Sequence, residues 1–177
     1  DACRRQKTLL KARAAVAAAA RVVAVDAAAN LFQGFRSMTP EGISPEDWKP
    51  LQEAAMKVVN ASLSGDVALD DNFTKELFLL LDGLEEKYGR LSALISTRAD
   101  FSPDPREAIN LYEEVLDGET DETTRILALQ SLVTLLIEEN SGDQSIESRL
   151  AELKEISKED SPEWEEYLDL LEEYHLG

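Results

Sequence analysis

From Ile126 to Ile137 the sequence runs twelve residues without a charge, in a chain where 31% of residues are Asp, Glu, Lys or Arg. Such a run has to be buried, and its length decides where. Twelve residues fall well short of the roughly 20 needed to cross a bilayer as a helix, so the run belongs inside a protein core. Apolar residues at 126, 127, 129, 132, 133, 135, 136 and 137 leave a narrow polar strip at Gln130, Ser131 and Thr134. That pattern predicts a central helix covered on most sides, closed by Arg125 and Glu138.

The rest of the chain predicts the helices that cover it. Leu, Ala and Glu dominate, β-branched runs are rare and aromatic residues reach only 6%, a composition that favours an all-α fold. With 177 residues the chain is long enough to bury a sizeable core without a disulfide framework, and its one cysteine, Cys3, has no partner within the chain. A single cysteine identifies no redox compartment, and Cys3 is read as a spectator.

Charge is unevenly spread. Residues 1–60 carry nine Lys/Arg against six Asp/Glu, a net +3, and residues 61–177 carry nine against thirty, a net −21, so the whole stands at −18. No concentrated basic groove coexists easily with that field, which argues against nucleic acid held by phosphate neutralisation.

The first residue is Asp1 rather than Met, the expectation for a processed chain or a fragment. Residues 4–30 are Ala-rich and basic, with no acid before Asp26, a composition shared with organellar transit peptides. Periodicity favours a structural helix instead. Leu9, Ala12, Val16, Ala20, Val23, Ala27 and Leu31 recur at three- and four-residue steps and form a small-residue seam for another helix. A helix of about 30 residues would be about 45 Å long and could reach beyond its own domain, making Leu9, Val16, Val23 and Leu31 candidate partner-binding residues.

Gly34, Pro40, Gly42, Pro45 and Pro50 predict a connector over residues 34–50, with Ser44 as the N-cap and Pro45 as the first residue of the next helix. Trp48, Leu51, Ala55, Val58, Val59 and Leu63 give that helix an apolar face, and Gly65 ends it. Asp70 or Asp71 is the expected cap of a helix over about 71–99, carrying Phe73, Leu77, Leu80, Leu81, Leu84, Tyr88, Leu91, Leu94 and Ile95 through Gly83 and Gly89; two helices meeting near Gly89 are the alternative. Glycosylation sequons at Asn60 and Asn72 fall within predicted helices rather than open loops. Ser102-Pro103-Asp104-Pro105 then stops one helix and starts another. Ala108, Ile109, Tyr112, Val115 and Leu116 line the helix that follows. The central helix is capped at Thr120 or Asp121. Two more are expected over about 144–157 and 162–175, the last capped by Ser161.

The sequence from Asp104 to Asp117, DPREAINLYEEVLD, resembles the second helix of a tetratricopeptide repeat, with Ala108 and Tyr112 at the family's small and aromatic positions. Val115 stands where alanine is usual, and Gly118-Glu119-Thr120-Asp121 replaces the closing proline. A second copy over residues 145–156 places Arg149, Leu153 and Ile156 in the corresponding positions, about 41 residues on rather than the family's usual spacing of about 34. The resemblance covers at most residues 90–177. It implies stacked helix pairs, no enzymatic activity and a surface for a peptide or partner subunit.

Chemical machinery is not visible in the sequence. His175 is the sole histidine and is expected to fray at a helix end; with one His and one Cys there is no zinc set and no Ser/His/Asp or Cys/His arrangement. Asp117, Glu119, Asp121 and Glu122, or Asp66, Asp70 and Asp71, lack calcium-loop spacing. A hydrolase built on paired acids comes last among the readings.

These observations predict an antiparallel bundle or repeat-like array of six to seven helices, arranged as residues 1–35, 36–101 and 102–177 in one continuous globular unit. Its candidate core is Tyr112, Leu129, Leu132, Val133 and Leu136. No enzyme, cofactor, metal, nucleic acid or membrane span is expected. The expected partners are proteins or partner subunits, in an intracellular or organellar rather than a secreted setting, with the oligomeric state left open. An acidic inhibitor, immunity protein or nucleic-acid mimic is the alternative.

Overall fold

The computed structural model describes residues 41–176. The seam residues Leu9, Val16, Val23 and Leu31 lie outside the described residues. Seven helices and no strands occur among the described residues: α1 (Pro45–Ser64), α2 (Val67–Tyr88), α3 (Ser92–Phe101), α4 (Pro105–Asp117), α5 (Glu122–Glu138), α6 (Asp143–Ile156) and α7 (Pro162–Leu176). The fold is all-α. The chain divides into two compact units between Phe101 and Ser102, at the Ser-Pro-Asp-Pro punctuation.

In the first unit α1 and α2 form an antiparallel hairpin. Ser44 caps α1 through its side chain, and Pro45 fits the first helical position, where a missing N–H costs nothing. The helix starts at Pro45 and runs on through Pro50, so the connector is shorter than the expected 34–50; Pro50 is exposed and close enough to the N-terminus for the break in hydrogen bonding to be tolerated. Gly65 ends α1 in the left-handed conformation (φ 73°), which glycine adopts without a Cβ penalty. The cap of α2 is Asp66, which accepts from Leu69 N at 3.1 Å, rather than the expected Asp70 or Asp71. Asp70 instead accepts from the Ser62 hydroxyl at 2.7 Å and ties the two helices near their turn.

The single helix expected over 71–99 is two. Gly89, at φ 85°, takes the chain out of α2, and Glu41 caps the start of α3 by accepting from Ala93 N at 2.8 Å. Ile43, Trp48, Leu51, Ala55, Val58, Leu77, Leu81, Leu94 and Phe101 form the core of this unit.

The second unit is built around α5, which packs against α4, α6 and α7. Three of the four helix starts follow from a local cap, Asp104 and Pro105 for α4, Asp121 for α5, Ser161 and Pro162 for α7, while α6 starts after Gly142 without a side-chain cap. At the end of α5, Asn140 takes a left-handed conformation (φ 51°) and Ser141 N donates back to Leu136 O at 2.9 Å, closing the helix. The charge-free run is thus the centre of a unit rather than of the whole chain. Tyr112, Leu129, Leu132, Val133 and Leu136 are all buried there.

Candidate functional site

Three polar clusters hold helices together. At the open end of the α1–α2 hairpin, Asp47 accepts from Lys87 Nζ at 2.5 Å, from the Ser44 hydroxyl at 3.0 Å and from the Tyr88 hydroxyl. These donors, Lys87 first, hold the Asp47 carboxyl down at about 2 although water still reaches it. Between α2 and α3, burial of Arg98 opposes its charge, but Asp82 (2.6 Å) and Glu85 (3.0 Å) outweigh that burial and raise its pKa. Its guanidinium also lies 5.3 Å from the centre of the Phe78 ring.

The third cluster spans the second unit. Arg149 on α6 pairs with Glu113 on α4 and, at 2.7 Å, with Glu152 on its own helix. Arg125 on α5 also pairs with Glu152, and it donates to the Leu116 carbonyl at 3.0 Å, satisfying an orphan acceptor at the end of α4. Burial opposes ionisation of Glu152, and the two arginines outweigh it and lower its pKa. Arg149 is the residue at the small position of the second repeat-like segment; there it bridges α6 to α4, while Ala108, Tyr112, Val115 and Leu153 are buried.

These carboxylates are therefore occupied as helix clamps. Among the described residues no group of three or more His, Cys, Asp or Glu side chains gathers as a metal site, and none of the helices is long and apolar enough to cross a membrane. Asp117, Glu119, Asp121 and Glu122 do not converge on a common centre; Asp121 is spent on capping, accepting from Thr124 N at 3.1 Å and from its hydroxyl at 2.6 Å. His175 lies in the last turn of α7, near the helix C-terminus as expected, with its Nδ1 2.6 Å from the Leu171 carbonyl. Asn60 and Asn72 are exposed on α1 and α2.

The feature that the sequence reading missed is apolar and on the surface. Six of the eight exposed large hydrophobic residues among the described residues belong to the α1–α2 hairpin: Met56, Leu63, Val67, Leu69, Leu79 and Leu80. Leu63 and Leu80 were expected to face inward, but Leu63 lies in the last turn of α1 beside Gly65 and is 58% exposed, and Leu80 is turned away from the buried Leu77-Leu81-Leu84 row. Leu168 is likewise exposed, because Tyr167 and Leu170 take the inner face of α7.

At 3.6 residues per turn Leu69, Leu79, Leu80 and Gly83 fall within about a third of the circumference of α2. Gly83 stands in open space: a Cβ placed on it would meet nothing within 4 Å. Among the described residues nothing packs against this mid-helix glycine, which costs about 1 kcal/mol against alanine. The hint available in sequence was that Leu77 to Leu81 contains more leucine than one helix face can bury.

No protein-family model, curated protein or solved structure matches this chain.

Proposed function

We propose that this protein is a non-enzymatic interaction scaffold or adaptor, a subunit of a larger assembly that docks a partner protein along α2. The observation that carries the reading is the outer strip of α2, where Leu69, Leu79 and Leu80 are exposed beside a glycine that nothing among the described residues requires. An apolar strip with a flat spot suits a helix from another protein, whose backbone could approach Gly83 closely. The resemblance to tetratricopeptide repeats is kept as part of this proposal, and what supports it is the packing of α4, α6 and α7 on α5.

The test is capture from native extract with the full chain and with the Leu69→Asp/Leu79→Asp chain, each washed at low and high salt. Both leucines are exposed, so the exchange leaves the core intact. A partner that survives high salt on the native chain and is lost with the substitutions supports docking at α2; recovery of no such partner rejects it.

A second reading rests on charge. Residues 102–177 hold five Lys/Arg against twenty-two Asp/Glu, a net −17. On α7 Glu165, Glu166, Asp169, Glu172 and Glu173 are all exposed at helical spacing. An acidic inhibitor or nucleic-acid mimic would use that face, and its basic partner would stay on both chains and leave with salt.

A further inference from the structure

The open side of α2 is laid out in two neighbouring rows. Leu69, Glu76 and Gly83 follow one another at seven-residue steps, and Leu80 and Lys87, each four residues further on, form the row beside them. Glu76 and Lys87 are 57% and 58% exposed, so each keeps much of its side chain in water besides its contact within the chain, Lys57 for Glu76 and Asp47 for Lys87. Leu80 is 37% exposed, and Gly83 faces open space.

Reversed, these rows complement themselves. Turning a second α2 antiparallel about a two-fold axis between Leu81 and Asp82 sets Leu80 level with the second copy's Gly83 and Glu76 level with the second copy's Lys87, and the symmetry repeats both contacts. Leu80 then fills the space that the missing Cβ leaves, and each acid meets a base. A parallel pair does neither, because it sets Glu76 against Glu76 and leaves Gly83 opposite Gly83.

We propose, resting on the reading of α2 as the docking helix, that its occupant is α2 of a second copy of this chain, antiparallel, with Leu80 seated at Gly83 and Glu76 beside Lys87. The charges that interrupt the leucines are part of the match: an isologous interface requires a face that is its own complement, and this one supplies both signs. From Glu76 to Lys87 the contact runs about 18 Å along the helix, at the small end of specific interfaces, so the pair forms reversibly as concentration rises.

Sedimentation of the full chain reads the pairing as mass, at about 0.15 M salt, where screening within about 8 Å mutes the net −18 of each copy. The native chain is expected to move from 19.6 kDa toward twice that mass as it is concentrated to the millimolar range. Glu76→Lys and Lys87→Glu should each stay at the single-chain mass, since either one sets like charges level, and their equimolar mixture should regain the native mass because both opposite-charge pairs return. Lys87→Glu also disturbs Asp47, so Gly83→Leu is the second probe: its side chain enters open space in the single chain, blocks the seat of Leu80 and should hold the mass at 19.6 kDa. A native chain that never exceeds the single-chain mass, or pairing that Glu76→Lys and Gly83→Leu leave unchanged, overturns the proposal. So does a mixture of folded variants that stays at the single-chain mass. The docking reading fails separately: a monomeric chain that still loses a captured partner through Leu69→Asp/Leu79→Asp keeps α2 as a docking helix with a different occupant.

Discussion

Replacing Tyr112 with alanine strikes the contact between α4 and α5 from which the second unit is built. The side chain is 2% exposed. An aromatic ring of this kind buries about 200 Å², worth about 5 kcal/mol at 25 cal/mol per Å², and a compact denatured state reduces that to about 3–4 kcal/mol. The loss is a large part of the roughly 5–10 kcal/mol that holds a unit of this size together. The two tryptophans make the assay selective, since Trp48 lies in the first unit and Trp164 in the second, packed on Tyr167 with ring centroids 5.1 Å apart. Trp48 Nε1 is buried without a hydrogen-bond partner among the described residues, so Trp48→Phe sacrifices no bond seen there and leaves Trp164 as the reporter. Urea melts of Tyr112→Ala in that background should then show about 3 kcal/mol of destabilisation, with Tyr112→Phe much milder. A change below about 0.5 kcal/mol would mean that Tyr112 does not pack as described.

Arg149→Met should cost about 1–2 kcal/mol in the same melts, between an exposed pair and a fully buried one, because Glu113 and Glu152 lose their shared cation; a loss no larger than at an exposed lysine such as Lys154 would remove the clamp. Asp47 titrates lower in the folded chain than its ordinary 3.8, so its contribution is present above that value and disappears as pH falls toward about 2; Asp47→Asn should flatten the acid limb of stability against pH, and an unchanged limb would contradict the account. Glu138 has the opposite sign. Burial, with Glu173 and Glu139 nearby, raises its pKa, so its charge opposes folding above its titration, and Glu138→Gln should raise the urea midpoint at pH 7 with the gain vanishing as the solution is acidified. Gly83→Ala should stabilise α2 by about 0.5–1 kcal/mol while weakening partner capture; equal capture would show that the flat spot is not used.

Local signals carried most of the fold. Ser44-Pro45, Asp104-Pro105 and Ser161-Pro162 each put a capping side chain before a residue that cannot donate, so three helix starts could be read directly. The charge-free run marked α5 because nothing but burial accommodates it. Gly89 was harder: hydrophobic spacing continues through it from Leu84 to Leu94, and the break depends on a positive φ that spacing does not encode. The division at Phe101 and Ser102 is likewise a matter of which helices pack together. Leu80, on the exposed side of α2, was misread for a related reason. A leucine in a leucine-rich helix looks inward until the core is seen to be full, and Leu77, Leu81 and Leu84 fill it without Leu79 or Leu80.

Docking along α2 is tested most directly by a photo-reactive residue placed at Leu79 and, separately, at Glu166 on α7, with the full chain irradiated in its native extract. The account predicts one discrete adduct with another polypeptide from position 79 and none from position 166. An adduct from position 166 alone, or from neither, would contradict it.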